Sequence, residues 1–320
     1  LTFVSLDAEC ETGLHHIPYL GKNMRIGRTG EIADGFYVLG HSAAPIYLLD
    51  GPAPILFDAG FTGLLHLYKK AIKHVLGKRS PAFLFLTHSH WDHVGTAAYL
   101  KEIWPEMLIS GSSESSRILL RKGALSQIKA LNEGALKVLR SWGVSEIYED
   151  EFRPFTLDVV LENGEKVEIE KDLTVEIIAT PGHTWDSTAY YIRERKILVA
   201  GEAAGCDGIC EFLVDHEAYV ASMKLLARLD AEILCTAHNF VFTGTDVDKN
   251  MVTAIRHVSE YVNQVKRYLR EEKGDIDRAV ARVKTAEWDK KSLPKQPLEP
   301  YLINTKIRAK LIQKHMEDSS

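Results

Sequence analysis

Apolar runs broken by turn residues mark the first part of the chain as rich in strands. Ile46-Tyr47-Leu48-Leu49 and Ile55-Leu56-Phe57 flank Asp50-Gly51, which predicts a hairpin with a tight turn. Phe83-Leu84-Phe85-Leu86 is continuously apolar, as expected of a strand buried on both faces. A helix is predicted over about 94–103, a strand at Met107-Leu108-Ile109, and helix over the Ala-, Leu- and Lys-rich stretch 113–142. Strands are predicted again at Leu157–Leu161, Val167–Ile169, Val175–Ile177, Ala189–Ile192, Ile197–Val199 and Glu232–Cys235, with a helix over 217–229. From about 246 the pattern is helical only. Met251, Ile255, Val258, Val262, Val265 and Leu269 draw one apolar stripe along a long helix. Packing against the main body explains the stripe; a dimer seam or a pocket wall are the alternatives. Shorter helices are predicted over 275–287 and 298–316. The pattern suggests two strand-rich halves with helices outside, followed by a helical appendage.

Composition narrows the function classes. In 320 residues, 45% are hydrophobic and 26% charged, which excludes a largely disordered chain. The 39 basic and 44 acidic residues give a net charge of -5, which argues against a nucleic-acid partner. No apolar run is long enough to span a membrane, and residues 1–9 are too soon acidic for a signal peptide. Cys10, Cys206, Cys210 and Cys235 form no dense disulfide pattern, and Cys235 reads as a buried core thiol. A cytoplasmic location is the expectation.

The 13 His change the picture, because five of them are gathered where chemistry could use them. The strand Phe83–Leu86 runs into Thr87-His88-Ser89-His90-Trp91-Asp92-His93. Grouped bare imidazoles gain little from one another, whereas imidazole and carboxylate together suit zinc, iron or manganese. In an extended loop, residues two apart point the same way, so His88 and His90 can grip one ion. Asp92 and His93 can face a second. Pro181-Gly182-His183, Gly201-Glu202 and Ala237-His238 each put a further ligand type just beyond a predicted strand. No G-x-S-x-G elbow and no phosphate-binding Gly loop is present.

This order of motifs, with Asp58-Ala59-Gly60 after Ile55-Leu56-Phe57, resembles the metallo-β-lactamase fold superfamily over about residues 30–245. The resemblance implies an αββα sandwich (α/β, or α+β by some schemes) over 1–245, with a helical insertion at 113–142 and a helical region over 246–320. It implies two divalent metal ions, zinc first, with iron or manganese as alternatives. His88, His90 and His183 would hold one ion, and Asp92, His93 and His238 the other. Glu202 stands where the family usually has the bridging Asp; it keeps the charge but is one methylene longer, so it would bridge both ions or ligate one, with a displaced acid in an altered site as the alternative. Asp92 would also accept a proton from the attacking water. Asp58 would fix an imidazole or the loop, with a plain turn aspartate as the alternative.

Among subclasses, the chain as a whole most resembles cytoplasmic members with a C-terminal helical region, such as hydroxyacylglutathione hydrolases and thioesterase-like enzymes. That implies hydrolysis of a thioester, ester or lactone in a small-molecule substrate, with a homodimer through the C-terminal helices as a further expectation. A di-iron redox or gas-reactive protein, or a non-catalytic ligand-binding member, are the alternatives. Cys206 and Cys210 match no ligand position. His216 is the remaining histidine expected nearest a pocket.

Overall fold

The computed structural model describes residues 15–16, 24–27, 29–205, 210–239, 241–290 and 298–318. Residues 1–9, Cys10 and Cys206, on which the leader and cysteine expectations partly rest, lie outside the described residues. The chain divides into two compact units, one from residues 29–110 and 116–159, the other mainly from residue 160 onward.

The first unit is built on a mixed sheet. Ala44–Leu49 and Ile55–Phe57 form the expected antiparallel hairpin, pairing Tyr47 with Phe57 and Leu49 with Ile55. Every residue of both strands is buried, as their unbroken apolar runs require. Ile55–Phe57 then pairs parallel with Phe83–Phe85, and that strand parallel with Leu108–Ser112. Parallel neighbours need crossovers, and helices supply them. One, Leu65–Leu76, was not predicted, although Leu65, Tyr68, Ile72 and Leu76 bury one face at helical spacing. The helix expected over 94–103 forms as two pieces, Trp91–Val94 and Ala97–Ile103. The stretch 113–142 likewise forms Ser113–Leu119 and Lys122–Ser141. Phe57 is paired with Phe85, so Asp58 and the Thr87-His88 segment leave neighbouring strands at the same end.

The second unit carries a sheet in the order Lys166–Glu170, Leu173–Ala179, Thr188–Ile192, Ile197–Gly201, Ile233–Thr236, Val241–Thr243, Met24–Ile26. Its pairs are antiparallel except Ile197–Gly201 with Ile233–Thr236, which the helix His216–Leu226 connects. Leu173–Ala179 turns directly into Thr188–Ile192, with Ala179 opposite Thr188. The loop 180–187, Glu202 and His238 therefore emerge at one edge of this sheet.

Helices Thr245–Glu271, Ile276–Ala286 and Leu298–Asp318 share a single apolar core with that sheet. Met251, Val258, Val262, Val265 and Leu269 of the predicted stripe are buried there, with Ile255 partly so. Each such side chain contributes about 1.5–3 kcal/mol, so the long helix is an integral part of its own unit. Among the described residues, no helix is long and apolar enough to cross a membrane.

Candidate metal centre

In the first unit, the candidate ligand loop is organised by one carboxylate. Asp58 has a positive φ of 63°, which Asp tolerates better than most residues. Its backbone N–H donates to the Phe85 carbonyl at 2.9 Å, and the next N–H, of Ala59, donates to the His93 carbonyl at 2.7 Å. The buried Asp58 side chain accepts from the Thr87 backbone N–H at 2.7 Å and from the Thr87 hydroxyl at 2.8 Å. It also accepts from His93 Nδ1 at 2.8 Å. The Thr87 hydroxyl donates to Asp58, so its oxygen accepts from His88 Nδ1, at 3.0 Å. Both imidazoles thus carry their proton on Nδ1, which leaves Nε2 with a lone pair for a metal.

One helical turn completes this loop. His93 and Val94 donate their N–H groups to the His90 carbonyl at 2.9 and 3.2 Å. The His88 ring centroid lies 4.7 Å from that of His90 and 4.2 Å from that of His93. Donor atoms of His88 and His90 lie within 4.8 Å of each other, as do those of Asp92 and His93. Asn132, buried in the helix Lys122–Ser141, braces the turn from behind. It donates to the Trp91 carbonyl at 2.9 Å and accepts from the Thr62 N–H at 2.9 Å.

In the second unit, the ligand types come from three strand ends. His183 sits in the loop 180–187, which closes through Thr180 N–H to the Ser187 carbonyl at 2.8 Å. Its Nδ1–H donates to the Glu211 backbone carbonyl, which fixes the same tautomer. Gly182, at φ 132°, accepts at its carbonyl from the N–H groups of Leu213, Val214 and Asp215. A Cβ at Gly182 would come within 2.3 Å of the Tyr219 backbone. Asp215 caps the helix His216–Leu226, accepting from Glu217 and Ala218 N–H at 2.8 and 2.9 Å.

Glu202 is buried, and Oε1 of its carboxylate lies 3.3 Å from His238 Nε2. The Tyr219 hydroxyl donates to the Glu202 carbonyl at 2.7 Å, so the helix His216–Leu226 steadies both the His183 and Glu202 segments. The Asn250 side chain, from the first C-terminal helix, donates to the Ala204 carbonyl at 3.2 Å just beyond. Burial pushes the Glu211 carboxyl up to about 7, against the opposing pull of Arg308. Arg308 is fully buried, with Nη2 3.4 Å from Glu211 Oε2.

Neither of the two described cysteines stands in a candidate metal cluster. Cys235 is buried, as expected, and Cys210 is also buried; burial pushes both thiols up. The His216 ring lies 4.7 Å from that of His315 and 5.7 Å from that of Phe212. Thr87, Asn132, Glu211, Tyr219 and Arg308 were not singled out from the sequence. Asn132 did leave a signal, being a polar residue at a stripe position of an amphipathic helix.

A divalent cation fits the donors present. They combine imidazole nitrogens of fixed tautomer with carboxylate oxygens, a set that suits zinc, iron or manganese better than calcium. Imidazoles held this close share a cation well and gain little without one.

The family model described as the metallo-beta-lactamase superfamily matches residues 40–238. A hydroxyacylglutathione hydrolase of Yersinia pestis is 26% identical over 193 residues, or 59% of this chain and 60% of that protein. The chain thus spans about 60% of the length of the curated relatives it matches. A metallo-beta-lactamase family protein of Thermus thermophilus superposes with a TM-score of 0.62 at 18% identity, covering 90% of this chain and 95% of that one. FEZ-1 metallo-beta-lactamase from Legionella gormanii gives 0.54 at 20% identity, covering 72% and 93%. These likenesses show the fold, and the expected helical C-terminal region is present beside it. With its ligand motifs in the family's order and the family model matched across them, the chain belongs to the metallo-β-lactamase superfamily.

Proposed function

We propose that the protein is a metal-dependent hydrolase acting on a thioester, ester or lactone carbonyl of a small molecule, with thioesters first. The observation that carries the reading is the pair of Nδ1-locked imidazoles, His93 on Asp58 and His88 on Thr87. Such locking is the usual support of a catalytic metal ligand and has little purpose in a plain turn. The preference for a thioester is supported by similarity to the hydroxyacylglutathione hydrolases.

In this reading His88, His90 and His183 would hold one ion, Asp92, His93 and His238 would hold the other, and Glu202 would supply a further carboxylate. When bound, two divalent cations polarise the attacked carbonyl and lower the pKa of water toward neutrality. The chain's own residues do the rest. Asp58 and Thr87 engage Nδ1 of His93 and His88, and the Glu211 carbonyl engages Nδ1 of His183, which makes Nε2 of each ring the nitrogen that would ligate a metal. An Asp92 carboxylate oxygen accepts the proton released as water attacks. The carboxylate and imidazole of Glu202 and His238 meet at 3.3 Å, so the extra methylene of Glu202 does not keep it from its neighbour.

The test is a turnover panel on the metal-loaded protein: thioesters, esters, lactones, β-lactams and phosphodiesters. Hydrolysis led by thioesters supports the reading. Metal-loaded protein with no turnover on any carbonyl substrate would leave a non-catalytic member of the fold in its place.

A further inference from the structure

A buried ion pair is weak evidence for stability, because desolvating both charges costs about as much as their attraction returns. The pair Arg308–Glu211 therefore calls for another reason. Arg308 lies on the buried stripe of the last helix, with Tyr301, Thr305, Ala309 and Ile312. Its guanidinium carbon sits 5.8 Å from the Tyr261 ring centroid, and Nη2 reaches Glu211 at 3.4 Å. Among the described residues, Nε and Nη1 have no hydrogen-bond partner. An apolar side chain would fill this place without leaving buried donors unmet.

Glu211 is what makes the position special. Its side chain answers Arg308, while its backbone carbonyl accepts the Nδ1–H of His183. The residues that follow, Leu213 to Asp215, fold over the Gly182 carbonyl at 3.1–3.3 Å. One residue therefore ties the C-terminal helix to the imidazole of a metal ligand, through its own side chain and main chain. We propose that Arg308 is a positioning residue for His183: by holding the Glu211 side chain it keeps the Glu211 carbonyl on Nδ1. The C-terminal helix is then part of how the metal centre is built. This inference rests on the metal-centre reading above.

The test uses cobalt(II) titration of the full chain, followed by visible absorption, with circular dichroism to check folding. Arg308→Met is expected to stay folded and bind cobalt about tenfold more weakly, in the range found when a ligand's supporting partner is lost. Arg308→Lys, which restores a cation, is expected to recover most of that loss. A merely structural Arg308 would change the melting temperature and leave cobalt affinity and spectrum alone, and that result overturns the proposal. Should Arg308→Met fail to fold, Glu211→Gln keeps the carbonyl and weakens the tie. Weaker cobalt binding there supports the proposal, and unchanged binding overturns it. His183→Ala separates the two levels. Unchanged cobalt binding in His183→Ala overturns the metal-centre reading and this inference together. Loss in His183→Ala beside unchanged binding in Arg308→Met overturns this inference alone.

Discussion

The two units present their candidate ligand residues in opposite ways. In the first, His88, His90, Asp92 and His93 share one short segment, and a single carboxylate, Asp58, orders it through Thr87 and His93. In the second, His183, Glu202 and His238 come from three strand ends, and main-chain groups and a helix keep them in place. The first arrangement depends on one side chain. The second is distributed over Gly182, Glu211, Tyr219 and the C-terminal helices. The contrast predicts unequal fragility: one substitution should undo much of the first loop, whereas the second should yield in smaller steps.

The largest effect is expected from removing a ligand of the first loop. His88→Ala or Asp92→Ala should lower any hydrolysis by roughly a thousandfold or more, since on the proposed reading bound metals would supply several kcal/mol of transition-state stabilisation. Steady-state kinetics on metal-loaded variants checks this. Next comes Asp58→Ala, which frees two imidazoles at once and should weaken metal binding by about 10–100-fold. Cobalt affinity equal to the wild type would reduce Asp58 to a turn residue and erase the contrast.

In the second unit the steps are expected to be shorter. Gly182→Ala places a Cβ against the Tyr219 backbone at a φ that L residues rarely adopt. Denaturant unfolding should show a loss of about 1–3 kcal/mol. Tyr219→Phe removes one hydroxyl from the Glu202 carbonyl and should cost about 1 kcal/mol. No effect at all is expected at the two described thiols. Cys210 and Cys235 are buried with their thiols pushed up, so a thiol reagent should leave both unlabelled in the native protein, read by peptide mass mapping.

The same contrast explains what could be read from the sequence. Local order leaves a local record: the His88–His93 segment stands out because its members are neighbours, and the hairpin around Asp50-Gly51 because a turn joins it. His183, Glu202 and His238 are single residues after strands, so their signal rests on that position and on the family's order of motifs. Thr87 hides between a strand and a histidine, and its link to Asp58 exists only once two parallel strands align Phe57 with Phe85. Arg308 and Glu211 are far apart in the chain, and charged residues are ordinary in any helix, so burial alone reveals the pair. The helix Leu65–Leu76 had a readable stripe, masked by its Lys and His residues.

The central proposal is that the chain holds two divalent ions on His88, His90, Asp92, His93, His183, Glu202 and His238. Elemental analysis of the metal-loaded full chain, with His88→Ala and His183→Ala beside it, tests this most directly. The account predicts two divalent ions per wild-type chain and a loss of bound metal in each variant. A wild-type chain that holds no metal, or one whose metal content neither substitution changes, would contradict it.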